Sequence, residues 1–373
     1  MTIDFTFGNL INFLGFVQGT LLGFLLILQW RKHISFPLLG LFLIGYSADL
    51  ALDVFHDSKI YKDSEYLIFL PINFYLLFMP SLYLYTQSLT RKINWKKDSI
   101  HLLPAVIEFV VFTILFFQTN KKEISTSESW GIIEVLYILF SWIFITTYAI
   151  KIVLFVNKLK KRVENFYSNI NGKLLKWVKW VAIYVVGFNV MMLVTADFSD
   201  EISNNWINPI INGINVIFIF WVALSGLRQT QISISNIEEM DTNSTEIDSP
   251  KNSKEKNIDN PDFEKLQEYM IAQKPFKKPQ LHLAGLASEI HLPQRKLSNL
   301  INEKSGLNFN QFINKYRIEE AQQLLLNEKF AHLNMLGIAY EVGFNSKATF
   351  YATFKQFTGT TPTKFQKESL LAK

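Results

Sequence analysis

The stretch IAYEVGFNSKATFYATFKQFTG, residues 338–359, decides how the end of this chain is read. Ile338 opens an apolar helical face, and Ala339 beside it is small enough for a second helix to cross closely. Four residues later Gly343 supplies a turn with φ > 0. Phe350 and Phe354 then recur at helical spacing, and Gly359 stops the run. A small residue, four more residues, a sharp turn and a second helix is the spacing of a helix-turn-helix. The pattern occurs once before, in LAGLASEIHLPQRKLSNLINEKSG, residues 283–306. There Ala287 stands where Ala339 does, and His291 where Gly343 does. Histidine is a departure, tolerable because it visits the left-handed region more than most residues. Between the two units lies FNQFINKYRIEEAQQLLLN, residues 309–327, with Phe312, Ile313, Tyr316, Ile318, Ala321, Leu324 and Leu325 on an apolar stripe. About 18 helical residues give a connector of roughly 27 Å. Successive major grooves on one face of DNA lie about 34 Å apart, so such a rod can present two helices to neighbouring grooves. PDFEKLQEYMIAQ, residues 261–273, adds a helix at the front, and no alternating strand pattern interrupts residues 261–373.

The rest of the chain has another character. Hydrophobic residues make up 49% of the 373 and aromatics 15%, and the long apolar runs end at Leu227. A membrane span needs about 20 mostly apolar residues. Seven are expected: 9–29, 36–55, 66–90, 101–118, 132–156, 177–197 and 206–227. The loops at 30–35, 91–100 and 157–176 hold 12 Lys/Arg, the alternate ones 4. That bias places the N-terminus outside and the C-terminus in the cytoplasm. Trp30, Trp130, Trp177, Trp206 and Trp221 lie mostly near span ends, as interfacial belts do. The start, MTIDFTFGNL, has no basic n-region and no cleavage site follows, so no cleaved signal peptide is expected.

Charge divides the chain in the same way. Residues 1–228 carry 19 Lys/Arg and 15 Asp/Glu, residues 229–260 carry 3 and 7, and residues 261–373 carry 15 and 10. A basic tail thus follows an acidic, polar segment with the composition of a flexible linker. The expected architecture is all-α. A seven-helix transmembrane bundle covers 1–228, a linker 229–260, and an all-α domain with two helix-turn-helix units joined by a long helix 261–373.

Polar residues within the spans are costly when they face lipid. Asp49, Asp53, Glu108 and Asp197 are read either as lining a ligand pocket or as pairing with one another or the interface. Gly15, Gly19 and Gly23 share one face of the first span, suited to close helix contact within the chain or to a homodimer seam.

Residues 263–367, just over a quarter of the chain, resemble the AraC/XylS-type DNA-binding domain of bacterial transcription regulators. The resemblance rests on Ile338, Ala339, Gly343, Phe344, Ser346, Phe350, Phe354, Lys355, Gly359 and Pro362, with YRIEEAQQLL resembling the family's connector helix. It implies base contacts at Arg295, Ser298 and Asn299 in the first reading helix, and at Lys347, Thr349 and Tyr351 in the second. Arg suits guanine, Asn adenine, and Thr a thymine methyl. Lys296, Lys355 and Lys364 suit phosphates, which position without specifying. The plain alternative for each is a solvated helix face. With Ala348 and Ala352 in it, the second face is expected to contribute less base specificity than the first.

The expected function is that of a bacterial one-component regulator in the inner membrane, its tail binding double-stranded promoter DNA under control of a signal perceived in the bilayer. A second reading makes the membrane half only an anchor, or a docking site for a partner membrane protein. RNA polymerase, a second copy of the chain and an unidentified signal ligand are the further candidate partners. An enzyme is not expected: there is no HExxH, GxSxG or glycine-rich phosphate loop. With no cysteine in the chain, thiol chemistry and Cys-ligated metals are excluded, and neither cofactor nor metal is expected.

Overall fold

The computed structural model describes residues 7–57, 69–119, 128–170, 175–195, 208–229 and 261–371. Among them the fold is all-α, with fifteen helices and no strand. The chain divides into two compact units. The first comprises residues 1–157 and 175–233, the second 158–174 and 234–373. Asp197 and most of the expected linker, residues 230–260, lie outside the described residues.

The first unit contains α1 (Phe7–Ile27), α2 (Ser35–Asp57), α3 (Tyr75–Ser88), a short α4 (Trp95–Asp98), α5 (Leu103–Thr119), α6 (Glu128–Phe166, whose last turns belong to the second unit), α7 (Lys176–Thr195) and α8 (Asn208–Arg228). Helices thus occupy all seven segments read as spans. Four of them are long and apolar enough to cross a membrane: Phe7–Ile27, Ser35–Phe55, Val135–Phe166 and Pro209–Arg228. A fifth follows if Trp95–His101 and Leu103–Gln118, bent by 52°, count as one span. Helix α3 has only 14 described residues, about 21 Å against the roughly 30 Å of a hydrocarbon core. Helix α7 carries Lys176 and Lys179 in its first turn.

The first unit packs by close backbone approach. Gly15, Gly19 and Gly23 are buried. A Cβ on Gly23 would stand 2.8 Å from the Gly40 carbonyl of α2, and one on Gly15 would stand 2.7 Å from Leu50 Cδ1. The small-residue face of α1 is therefore spent within the chain, against α2. Polar side chains point inward, with Asn12, Ser47 and Asn215 buried, while Leu14, Leu21 and Phe24 of α1 and Val106, Val110 and Phe117 of α5 are exposed. Glu108 of α5 is also buried: it accepts from the backbone N–H of Leu76 (3.1 Å) and from Tyr137 Oη (2.5 Å). It thereby caps the start of α3, whose first N–H groups have no helical partner.

The second unit contains α9 (Pro261–Gln273), α10 (Leu283–Glu289), α11 (Gln294–Ser305), α12 (Phe309–Leu325), α13 (Met335–Glu341), α14 (Lys347–Thr358) and α15 (Pro362–Leu371). It has two apolar cores. Phe309, Phe312 and Ile313 of α12 enter the first, with Leu266, Leu286, Leu297 and Ile301. Ile318, Ala321, Leu324 and Leu325 of the same helix enter the second, with Ile338, Phe344, Phe350 and Phe354. Seventeen residues make α12 a rod of about 25 Å.

Arg317 sits where α12 passes from one core to the other, only 1% exposed. Its Nε donates to Phe276 O (2.7 Å), and its Nη2 to Lys278 O (3.0 Å) and Ser168 Oγ (3.3 Å). Its guanidinium lies 5.5 Å from the ring centroid of Phe344. Burial lowers its pKa to about 10, and the acceptors are carbonyls and one hydroxyl rather than a carboxylate. One turn on, Glu320 takes Lys274 Nζ at 2.7 Å and Lys277 Nζ at 3.0 Å. Burial pushes the Glu320 carboxyl up, but the two lysines outweigh it and hold it below its ordinary value.

The unit also includes part of the basic segment expected to join the fifth and sixth spans. Phe166 packs on the first core, and Tyr167 forms an antiparallel bridge with His282. Ser168 donates its backbone N–H to Leu281 O (3.1 Å). Asn310 Nδ2 donates to the carbonyls of Tyr167 (3.2 Å) and Ser168 (2.7 Å).

Replacing Arg317 with Met keeps the volume and removes the donors. We expect a loss of about 3 kcal/mol in the second unit, because buried carbonyls lose their partners. Hydrogen exchange at α12 amides reports it. Glu320→Gln tests the ion triad. A carboxyl with a depressed folded pKa stabilises above its unfolded pKa, and that contribution is lost as pH falls through the folded value. The variant is expected to melt below the parent at pH 7, with the gap closing below about pH 4.

Candidate DNA-binding interface

Two helix-turn-helix units are built on the same backbone hydrogen bonds. In the first, Leu292 N–H donates to Ala287 O (3.0 Å); in the second, Phe344 N–H donates to Ala339 O (2.9 Å). The turn residue is left-handed in both, His291 at φ 57° and Gly343 at φ 95°. Histidine fits because its Cβ meets solvent: His291 is exposed. At Gly343 a Cβ would stand 2.6 Å from Phe276 O, so only glycine fits there. Ala287 and Ala339, 3% and 0% exposed, sit at the crossings of α10 and α13 with their partner helices.

Before the turn the equivalent residues differ by 52 in number, as Ala287 and Ala339 do. After it they differ by 53, as the N-caps Pro293 and Ser346 do, because the second turn has one more residue. The offset of 53 then holds to the end of the reading helices. Leu297 matches Phe350 and Ile301 matches Phe354, all fully buried. Gly306 and Gly359 end α11 and α14 in the left-handed conformation, each bonded four residues back, to Asn302 and Lys355. This alignment pairs Arg295 with Ala348, Ser298 with Tyr351, and Asn299 with Ala352.

The two outer faces therefore differ in chemistry. On α11, Arg295 and Asn299 are exposed and Ser298 half-buried. Arg295 forms no ion pair among the described residues. Lys296 is paired with Asp262. The N-terminus of α11 has no side-chain cap, which leaves backbone N–H groups for an anion. On α14, Lys347 and Lys355 are exposed, and Lys347 Nζ lies 5.5 Å from the Tyr351 ring centroid. Thr349 is turned to the cap: its backbone N–H donates to Ser346 Oγ at 3.2 Å, and the two hydroxyls are 2.9 Å apart. Tyr351 Oη is 2.8 Å from Thr363 Oγ1. Thus two of the three residues expected to read bases from α14 have their hydroxyls engaged within the domain. Lys364 pairs with Glu368 along α15 (3.6 Å), Pro362 is buried at the start of that helix, and Phe344 packs in the second core.

The remaining residues singled out in the sequence lie in the first unit. Asp49 and Asp53 line a cavity there, and Glu108 is the helix cap described above. Arg317, Asn310 and Ser168 escaped the sequence reading. Arg317 had a signal: it stands between Ile313 and Ala321 at four-residue spacing, a charge on an apolar stripe. Ser168 had none.

Residues 286–368 match a family described as a helix-turn-helix domain. The chain is 30% identical over 88 residues to the Msm operon regulatory protein of Streptococcus mutans, covering 24% of this chain and 31% of that protein. It is 34% identical over 85 residues to the HTH-type transcriptional activator FapR of Escherichia coli, covering 22% and 31%. The chain thus spans about a third of the length of these curated relatives. A solved structure, the C-terminal domain of the response regulator AraT from Geobacillus stearothermophilus, is similar over 29% of this chain and 86% of that one, at 28% identity and a TM-score of 0.26. The family match and the curated relatives support a helix-turn-helix DNA-binding domain at the C-terminus, and both of those relatives are described as transcription regulators.

The asymmetry of the two faces sets an expectation for DNA. Arg295→Ala is expected to lower affinity for the cognate site about tenfold or more and to relax discrimination at one base pair. Lys347→Ala is expected to weaken cognate and random DNA alike, with a shallower salt dependence. Competition footprinting checks both; a larger loss of sequence selectivity from Lys347→Ala would reverse the assignment.

Proposed function

We propose that this chain is a membrane-embedded transcription regulator, with residues 261–373 reading promoter DNA in the cytoplasm and residues 1–228 forming a seven-span membrane domain that perceives a signal. The observation that carries the DNA reading is the pair of helix-turn-helix units in matched register, held on one rod by a buried arginine. In support, α11 presents Arg295 and Asn299 outward beside an uncapped helix start, a combination suited to base edges and a phosphate.

The membrane reading is supported by an inverted surface. The first unit buries Asn12, Asn215 and Glu108 and exposes rows of Leu, Val and Phe on α1, α5 and α6. In water such continuous apolar faces are unfavourable; in lipid they are the solvent-facing side. Helices stand in all seven expected segments, and the Lys/Arg bias of the loops gives the orientation. In this reading residues 229–260 link the halves. The cavity lined by Asp49 and Asp53 favours a sensing domain over a plain anchor, because it offers a polar recess in which a ligand could sit. A second copy of the chain and RNA polymerase are the partners such a regulator would meet on DNA.

The test uses the full chain. It is expected in the carbonate-resistant membrane fraction, with a C-terminal reporter active only in the cytoplasm. Purified in detergent, it is expected to shift DNA from upstream of its own gene against excess competitor, with affinity falling steeply as salt rises. A chain recovered in the soluble fraction sinks the membrane half of the proposal. Binding that competitor DNA abolishes sinks the regulator half.

A further inference from the structure

We propose that residues 166–168 are a releasable strap that keeps the second unit in its DNA-reading arrangement, a role that deepens, and for its consequence rests on, the reading of residues 261–373 as a promoter-binding domain. Strap and seat both lie within the second unit, which comprises residues 158–174 as well as 234–373. They are far apart in sequence: Ser168 and the Leu281 carbonyl it binds are separated by 113 residues.

The seat is built to hold backbone. Tyr167 pairs with His282 in the antiparallel bridge. On the next residue the backbone N–H (3.1 Å) and the hydroxyl (2.6 Å) of Ser168 both donate to Leu281 O. From the other side the Asn310 amide donates to the carbonyls of Tyr167 and Ser168. Asn314 Nδ2 donates to Asn310 Oδ1 (3.1 Å), which turns the Asn310 N–H groups toward the strap. Arg317 Nη2 adds a bond to Ser168 Oγ. Ser168 is 3% exposed, and Phe166 anchors the strap on the first core. An added strand of this kind takes its affinity from main-chain bonds and its selectivity from the side chains that fit beside it.

Two observations say what the strap does. Its bonds end on the backbone that enters α10, on the first turn of α12 and on Arg317. The strap thus ties the front of the first helix-turn-helix to the connector rod, at the arginine that also grips Phe276 O. The second observation is what it leaves open. Arg295, Asn299, Lys347 and Lys355 are exposed with the strap in place, so a seated strap acts by fixing the domain and not by covering its DNA faces. The strap can also leave. Its hydrogen bonds exchange for bonds to water, so each contributes little net, and Arg317 keeps the carbonyls of Phe276 and Lys278. Release loosens the seat without orphaning the buried charge.

The experiment uses the full chain in detergent and DNA from upstream of its own gene. The chain has no cysteine, so Tyr167→Cys with His282→Cys introduces a single thiol pair across the bridge, close enough to join. The disulfide is expected to form under mild oxidation and to leave selective DNA binding at the parent's level. Asn310→Ala with Ser168→Ala is expected to speed hydrogen exchange in α10 and the first turn of α12. A domain seated a tenth of the time binds about tenfold more weakly, and a loss of that order is expected, restored when the thiol pair is added and oxidised. Oxidation that abolishes DNA binding overturns the proposal, as does a pair that does not join, or faster exchange with no loss of affinity. If the Asn310→Ala, Ser168→Ala variant fails to fold, the thiol pair in the parent background still decides, by whether it joins and whether the joined form binds. A chain whose thiol pair joins but which never binds DNA selectively indicts the regulator reading alone. Selective binding by the parent with no joining of the pair indicts the strap alone.

Discussion

Arg317 is the residue on which the second unit's geometry depends. A guanidinium held at 1% exposure is unfavourable unless its N–H groups are matched. Here they are matched by the carbonyls of Phe276 and Lys278, in the segment that leads from α9 to α10. The same Phe276 carbonyl is the atom that a side chain at Gly343 would strike. One short stretch of backbone is thus gripped by the connector helix and touched by the turn of the second helix-turn-helix. That contact, with the Lys277–Glu341 ion pair beside it, adds to α12 in joining the two apolar cores. Breaking that arrangement would leave the buried guanidinium without acceptors, so the contact holds both helix-turn-helix units to one stretch of backbone. A rigid pair is what simultaneous entry into two major grooves requires.

The duplicated motif has kept its scaffold and divided its surface. Turn bonds, crossing alanines, buried positions and terminal glycines recur at offsets of 52 and 53. The outward positions do not recur: Arg295, Ser298 and Asn299 face Ala348, Tyr351 and Ala352 in the alignment. Hydrogen-bonding side chains carry direct readout, while methyl groups and lysines on an otherwise plain face supply apolar contact and charge. We propose that the first helix-turn-helix chooses a sequence and the second holds the duplex beside it.

What could be read in advance follows from range. Helical periodicity, the small crossing residue and the terminal glycines are features of neighbours within four residues, and these placed the helices of both units. The His291 turn was legible for the same reason. Contacts across long separations were not. Glu108 capping the start of α3 at Leu76, Tyr137 meeting Glu108, and Ser168 meeting Leu281 each join residues that no local pattern relates. Arg317 stands between these cases. Its position on the apolar stripe of α12 was visible, but its acceptors are backbone carbonyls, which a sequence does not display. The 53-residue offset was hidden by one extra residue in the second turn. With that residue counted, Thr349 stands opposite Lys296, and its hydroxyl lies 2.9 Å from that of Ser346, the cap of its own helix.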